Sequence, residues 1–226
     1  LVSFLATCYA FWIGEYSLAV LALLIHILVI SIFSAVTHRY FCHRAYCANP
    51  SVMWVLSIIP PLYGFSTPIH WTVMHSAHHE HADTDLDPHV KGWRGTFTAA
   101  YKEPPIKYIR ATKWFTDGKH KWVSRNSFLL LLTWNAGLFL ISPQVMLWVG
   151  LVPMFTLIFS AGLHRTFSHA KTGIRNLWFL EYIVPMGGEW LHDEHHNSAK
   201  NPIFSNRWYE IDTGSVFVWL LKNRSS

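Results

Sequence analysis

The sequence predicts an all-α integral membrane protein: four transmembrane helices in two hairpins, with a cytoplasmic helical cap that holds a two-metal site. Three observations carry this expectation. Charge is scarce and confined, two long blocks carry none at all, and histidine recurs in clusters. Only 14% of the 226 residues are Asp, Glu, Lys or Arg and 51% are hydrophobic, against roughly 25% charged in an ordinary soluble domain. Such a composition excludes a disordered chain, a collagen-like one and a disulfide scaffold. Fifteen histidines outnumber thirteen acidic residues.

Taken in order, residues 1–13 are apolar but about a third too short to cross a bilayer. They read as a span cut at its start, and because the chain begins at Leu1 rather than Met, further N-terminal sequence is expected. A turn at Gly14-Glu15-Tyr16-Ser17 leads into residues 18–36, an uncharged run whose helical length of about 28 Å matches the hydrocarbon core. A second uncharged block, 126–163, is broken at Ser142-Pro143-Gln144. Proline ends one helix and suits the first turn of the next, so two spans are expected, 127–141 and 145–163. Residues 45–79 are uncharged too, but Pro60-Pro61, Gly64 and Pro68 interrupt them. A single crossing there would strand basic segments on both faces, so the stretch is read as a kinked interfacial or buried segment. The cap comprises 37–126 and 164–226, and residues 1–226 form a single domain.

All eighteen Lys and Arg fall within 39–125 or 165–224, the positive-inside pattern of a multi-pass membrane protein, which puts the cap and its site on the cytoplasmic side. These basic residues are interleaved with histidines and with twelve of the thirteen acids, unlike an arginine–aromatic stripe, so no nucleic-acid partner is expected. No charged start with a small-residue cleavage site marks a removed signal peptide. Cys8, Cys42 and Cys47 form no C-x-x-C pair and are expected to be free thiols. With neither a haem-attachment motif nor an iron–sulfur cysteine run, any electrons must come from a separate carrier.

Three histidine clusters stand out: His38-Arg-Tyr-Phe-Cys-His43, His75-Ser-Ala-His78-His79 and His192-Asp-Glu-His195-His196. At this histidine frequency one H-x-x-H-H is expected roughly 0.07 times per chain by chance, so two are a signal. On an α-helix, residues three and four apart share a face while adjacent ones diverge by about 100°. Each triplet can therefore feed two neighbouring ions. His38 and His43, five apart, share a face only if the helix ends or distorts between them, and an ending is expected at His38. Imidazole suits iron, zinc or copper, and so many histidines without thiolate exceed one tetrahedral zinc site. Two metals with open positions fit oxygen activation better.

The order H-x4-H, H-x-x-H-H, H-x-x-H-H, with hairpins between, resembles the membrane fatty acid desaturases of the stearoyl-CoA desaturase type. The match extends to Trp71 ahead of His75, to Asp83-Thr-Asp-Leu-Asp87-Pro88-His89, and to Gly188-Glu189 ahead of His192 with Asn197 behind His196. It covers about residues 18–222. The resemblance implies a non-haem di-iron centre of nine histidines, O2 as co-substrate, and a cis double bond introduced into a CoA-linked or lipid-linked acyl chain, at delta-9 as the expected position. It further implies an external electron donor of cytochrome b5 or ferredoxin type. The ninth ligand falls by position on His164. One iron would take His38, His43, His75, His79 and His195, and the other His78, His164, His192 and His196. Ser160 stands where the family has a water-holding Asn, and Ser76 where it has Arg. Val73 and Met74 replace residues that contact coenzyme A in animal enzymes, which weighs against acyl-CoA and leaves an acyl-lipid substrate open. A hydroxylase or alkane monooxygenase would share the scaffold and metals, and a non-enzymatic membrane metal-binding protein is the remote alternative. The box spacing and the Asp-Pro-His stretch favour the desaturase.

His164-Arg-Thr-Phe-Ser-His169 echoes the first box and makes His169 a rival to His164. Asp83, Asp87, Glu189, Asp193, Glu194 and His89, with Ser160, are candidates for orienting the imidazoles. His26, mid-span, would be costly facing lipid and should face the bundle interior; together with Trp71 and Trp190 it is a candidate for the substrate channel. His70, His81 and His120 are expected at the interface or in solvent.

Overall fold

The computed structural model of the chain describes Gly14 and residues 16–88, 117–170 and 173–223. The expected span 1–13, His89 and the remainder of the first cap segment lie outside the described residues. Among the described residues the regular elements are helices and one hairpin of two-residue strands, β1 (His169–Ala170) and β2 (Gly173–Ile174), paired antiparallel.

Among the described residues two helices are long and apolar enough to cross a membrane, α1 (Tyr16–Cys42) and α6 (Pro143–Phe167). No Gly or Pro interrupts the first, so nothing stops its propagation where residues 18–36 were expected to end. Instead of ending at His38, the helix changes winding. From Phe33 to Cys42 it is a π-helix, in which the N–H of residue i+5 bonds the carbonyl of residue i. His43 N–H donates in this way to the His38 carbonyl at 3.1 Å. Residues five apart then lie one above the other, and the two histidines of the first box share a face.

The kinked segment is built from helices that each start on proline: α2 (Pro50–Leu62, broken at Ser57) and α3 (Pro68–His81). Asn49 caps the first by accepting from the N–H of Ser51, and Thr67 caps the second through the N–H of His70. After α4 (Gly118–Arg125) comes α5 (Ser127–Ile141), with the bounds its sequence predicts. Ser142 leaves the helical region and its hydroxyl accepts from the Val145 N–H at 3.0 Å, so the break at Ser142-Pro143 is a cap as well as a stop. Gly150 lets α5 and α6 touch: a Cβ there would strike the Asn135 side chain.

Two apolar clusters flank α1. On one side Val29, Ile30 and Phe33 pack with Tyr63, Leu157, Met186 and Trp190; on the other Ile32, Ala35, Val36 and Phe41 pack with Met53 and Val218. The helix α5 is the opposite case, burying Leu138 alone while Phe128, Leu132, Leu140 and Ile141 face outward. An outward apolar face of this extent is a surface for lipid or partner, not for water. The short helices α7 (His192–Asn197) and α8 (Thr213–Leu221) complete the region around the histidines.

Candidate metal centre

The three boxes converge. One group comprises His38, His43, His75, His79 and His195, another His78, His169, His192 and His196, and within each the ligand atoms all lie within 4.8 Å of one another. In the first group the Nε2 atoms of His75 and His195 each stand 2.8–3.1 Å from those of His38 and His79 and 3.1 Å from one another. In the second, His192 Nε2 is 2.7 Å from His169 Nε2 and 3.1 Å from His196 Nε2. Nitrogens about 2.1 Å from one ion, at right angles, are themselves about 3.0 Å apart. The residues thus fit a metal at each group. His43 Nε2, buried and without a hydrogen-bond partner, supports the same reading, since a buried nitrogen lone pair needs an acceptor for its electrons. The groups adjoin: the His79 and His196 rings stack with centroids 4.2 Å apart.

Burial favours the neutral form of several of these imidazoles, the form that binds metal. It pushes His75, His192 and His195 well below the usual histidine range, His43 and His169 down to about 4, and His196 to about 3. Carboxylates fix the ring orientation. His38 Nδ1 donates to Glu189 Oε1 at 2.8 Å, and His78 Nδ1 to the Asp87 carboxylate at 3.0 Å; both arrangements leave Nε2 to the centre. Burial pushes Glu189 up to about 8, against the pull of the Arg39 guanidinium and the Ser34 hydroxyl, which donates to it at 2.5 Å. Asp83 Oδ1 faces His169 Nδ1 at 3.4 Å.

Of the remaining candidates, Asp193 accepts from Asn197 and Ser160 donates to the Leu157 carbonyl of its own helix, so neither hydroxyl nor carboxylate is turned to an imidazole by these bonds. The Glu194 N–H joins that of Asp193 on Asn176 Oδ1, which holds the start of α7. A cavity of about 420 Å³ opens onto the histidines, walled by Phe33, Phe65, Trp71, Ile158 and Met186. Trp71, a candidate for the substrate channel, lines it and stacks on His75 at 4.9 Å. Trp190 and His26 do not line it. The Trp190 indole is fully buried and donates to the Val184 carbonyl, while His26 Nε2 donates to the Pro185 carbonyl at 2.8 Å. Both satisfy backbone of the 184–190 turn, which explains a histidine mid-span. His120, expected at the interface or in solvent, is buried edge-on against Phe41 at 4.7 Å. His164 also lines the cavity, its ring 4.4 Å from His192, but His169 stands in the second group where the ninth ligand was expected to be His164.

Sequence reasoning missed the buried frame behind the first group. Arg39 makes a two-pronged pair with Asp212 (2.7 and 3.0 Å) and donates to the carbonyls of Gly187 and Pro202. Asp212 also accepts from Ser215 and Phe204 N–H groups. A Cβ on Gly188, which sits at φ +90°, would strike both members of the pair. Glu181 accepts three N–H bonds, from Met186, Gly188 and Trp190, and so shapes the same turn. A lone arginine inside an apolar run and the cap signature Asp212-Thr-Gly-Ser were the available signals.

No protein-family model matches the chain. Among curated proteins it is similar to the hex-5-enoyl-[acyl-carrier protein] acetylenase of Moorena producens, at 25% identity over 82% of this chain and 68% of the relative. It is 26% identical to the sn-1 stearoyl-lipid 9-desaturase of Anabaena variabilis, over 82% of this chain and 73% of that one. A shorter match, 34% identical, relates 34% of this chain to 23% of the acyl-CoA Delta(11) desaturase of Choristoneura rosaceana. The chain is thus similar, at 25–34% identity, to proteins named as fatty acyl desaturases and to one named as an acetylenase.

Proposed function

We propose that this protein is a fatty acyl desaturase, a multi-pass membrane enzyme that uses O2 and two non-haem irons to place a cis double bond in a fatty acyl chain. The expected position is delta-9, in keeping with the relatives named for that position. Its spans are about 1–13, 18–36, 127–141 and 145–163, with 37–126 and 164–226 forming a cytoplasmic cap within one domain. The observation that carries the reading is a single cavity whose wall is apolar on one part and holds imidazoles of both groups, His75 with His78, His169 and His192, on another. Two irons held there would supply O2 activation and removal of two hydrogens from adjacent methylenes, with two electrons from a cytochrome b5 or ferredoxin.

The chain's own residues do the rest. An acyl chain offers no polar handle, so Phe33, Phe65, Trp71, Ile158 and Met186 must place one C–C bond by shape and keep water away from it. Trp71, stacked on His75, ties that wall to the first group. Glu189 and Asp87 hold the Nδ1 protons of His38 and His78 and aim the opposite nitrogens inward. The head group is CoA, lipid or carrier protein, the acetylenase relative being named for the last. Expression in a host lacking the activity, with free, thioester-linked and lipid-linked acyl chains profiled by mass spectrometry, tests the proposal. A loss of two hydrogens that requires O2 and reductant is expected. A gain of one oxygen atom instead overturns it in favour of the hydroxylase.

A further inference from the structure

We infer that in this chain the second metal is closed by His169, held from behind by Asp83, and that His164 belongs to the cavity wall and not to the metal. The assignment rests on the two-metal reading above. His164 lies inside α6, which runs to Phe167; its Nδ1 stands 3.3 Å from Ser168 Oγ, and its ring edge meets His192. His169 lies past the helix end. There β1 pairs His169 with Ile174 and fixes its backbone independently of the helix. Its ring is 4.7 Å from His78 and 4.6 Å from His192, and its Nε2 stands 2.7 Å from His192 Nε2, closer than His196 Nε2 at 3.1 Å.

The other face of the ring shows a longer-range version of the arrangement found twice elsewhere in the site. His38 backs onto Glu189 and His78 onto Asp87. His169 Nδ1 faces Asp83 Oδ1 at 3.4 Å. Asp83 sits in the left-handed region at φ +65°, and its N–H donates to Asp87 Oδ2 at 3.2 Å. One turn after α3 thus presents two linked carboxylates to two imidazoles of the same group. A carboxylate behind a ligating imidazole sets its orientation and raises its basicity. For His164 the facing group is a hydroxyl four residues along its own helix.

The test counts metal, not turnover. The whole chain, purified in detergent, stripped with chelator and titrated with Co(II), is expected to hold two cobalt ions. His169→Ala is expected to hold one and His164→Ala two. Asp83→Asn should hold two at saturation with the weaker site loosened about tenfold or more; it keeps the test alive where His169→Ala fails to insert. A His164→Ala chain that loses a cobalt overturns the assignment, as does a His169→Ala chain that keeps both. A wild-type chain that never takes a second cobalt overturns the two-metal reading itself, and His43→Ala, which should empty only the first group, tells the two failures apart.

Discussion

His38 and His78 each turn Nδ1 to a buried carboxylate, but the carboxylates come from different distances. Glu189 is 151 residues from His38 along the chain, whereas Asp87 is nine from His78. Around the first group the supporting side-chain bonds are long-range: Arg39 reaches Asp212, and Ser34 reaches both Glu189 and the Gly187 carbonyl. Around the second, the turn at Asp83–Asp87 does much of the work within one stretch of sequence. The first group therefore reports whether α1 has docked on the 181–192 segment, and the second depends more on local structure.

The comparison can be broken at several depths. His195→Ala removes a nitrogen shared by three close contacts in the first group, and product formation should fall below detection with iron content reduced. Arg39→Met comes next. It leaves Asp212 buried without its partner, at a cost of about 3–5 kcal/mol, seen as a lower melting temperature in detergent. The Arg39→Met/Asp212→Leu pair should recover part of that loss. Metal should leave the first group before the second, and equal loss from both would erase the distinction between them. Glu189→Gln and Asp87→Asn should each weaken metal binding about 10- to 100-fold at their own group, by chelator competition, with the partner group unchanged.

The smallest effect is a pH dependence. Burial raises Glu181 to about 7 from an ordinary value of 4.5, against three N–H donors. The folded chain then holds more protons than the unfolded one between those values, so this group makes stability fall as pH rises from about 4.5 to 7. Melting temperature against pH checks it, and a rise over that window attributable to Glu181, lost in Glu181→Ala, contradicts it.

Much of this was legible in the sequence for a physical reason. Uncharged blocks and the Ser142-Pro143 break are local, and they mark α5 to the residue. Histidine triplets at helical spacing predict their own shared face. What was not legible depends on partners far away. His26 reads as a channel residue until Pro185 is seen against it, and His120 reads as exposed until Phe41 covers it. The choice between His164 and His169 turns on where α6 stops, and the echo of the first box pointed to the rivalry without resolving it.

The π-wound end of α1 has a consequence for the first box as a word. H-x4-H is a spacing that a regular helix cannot use for a shared ligand, so its fifth residue works as an instruction about winding. Deleting one of Tyr40, Phe41 or Cys42 would turn it into H-x3-H, which an ordinary helix does bring to one side. Two spellings of the box can then carry one meaning, provided each is pronounced with its own helix.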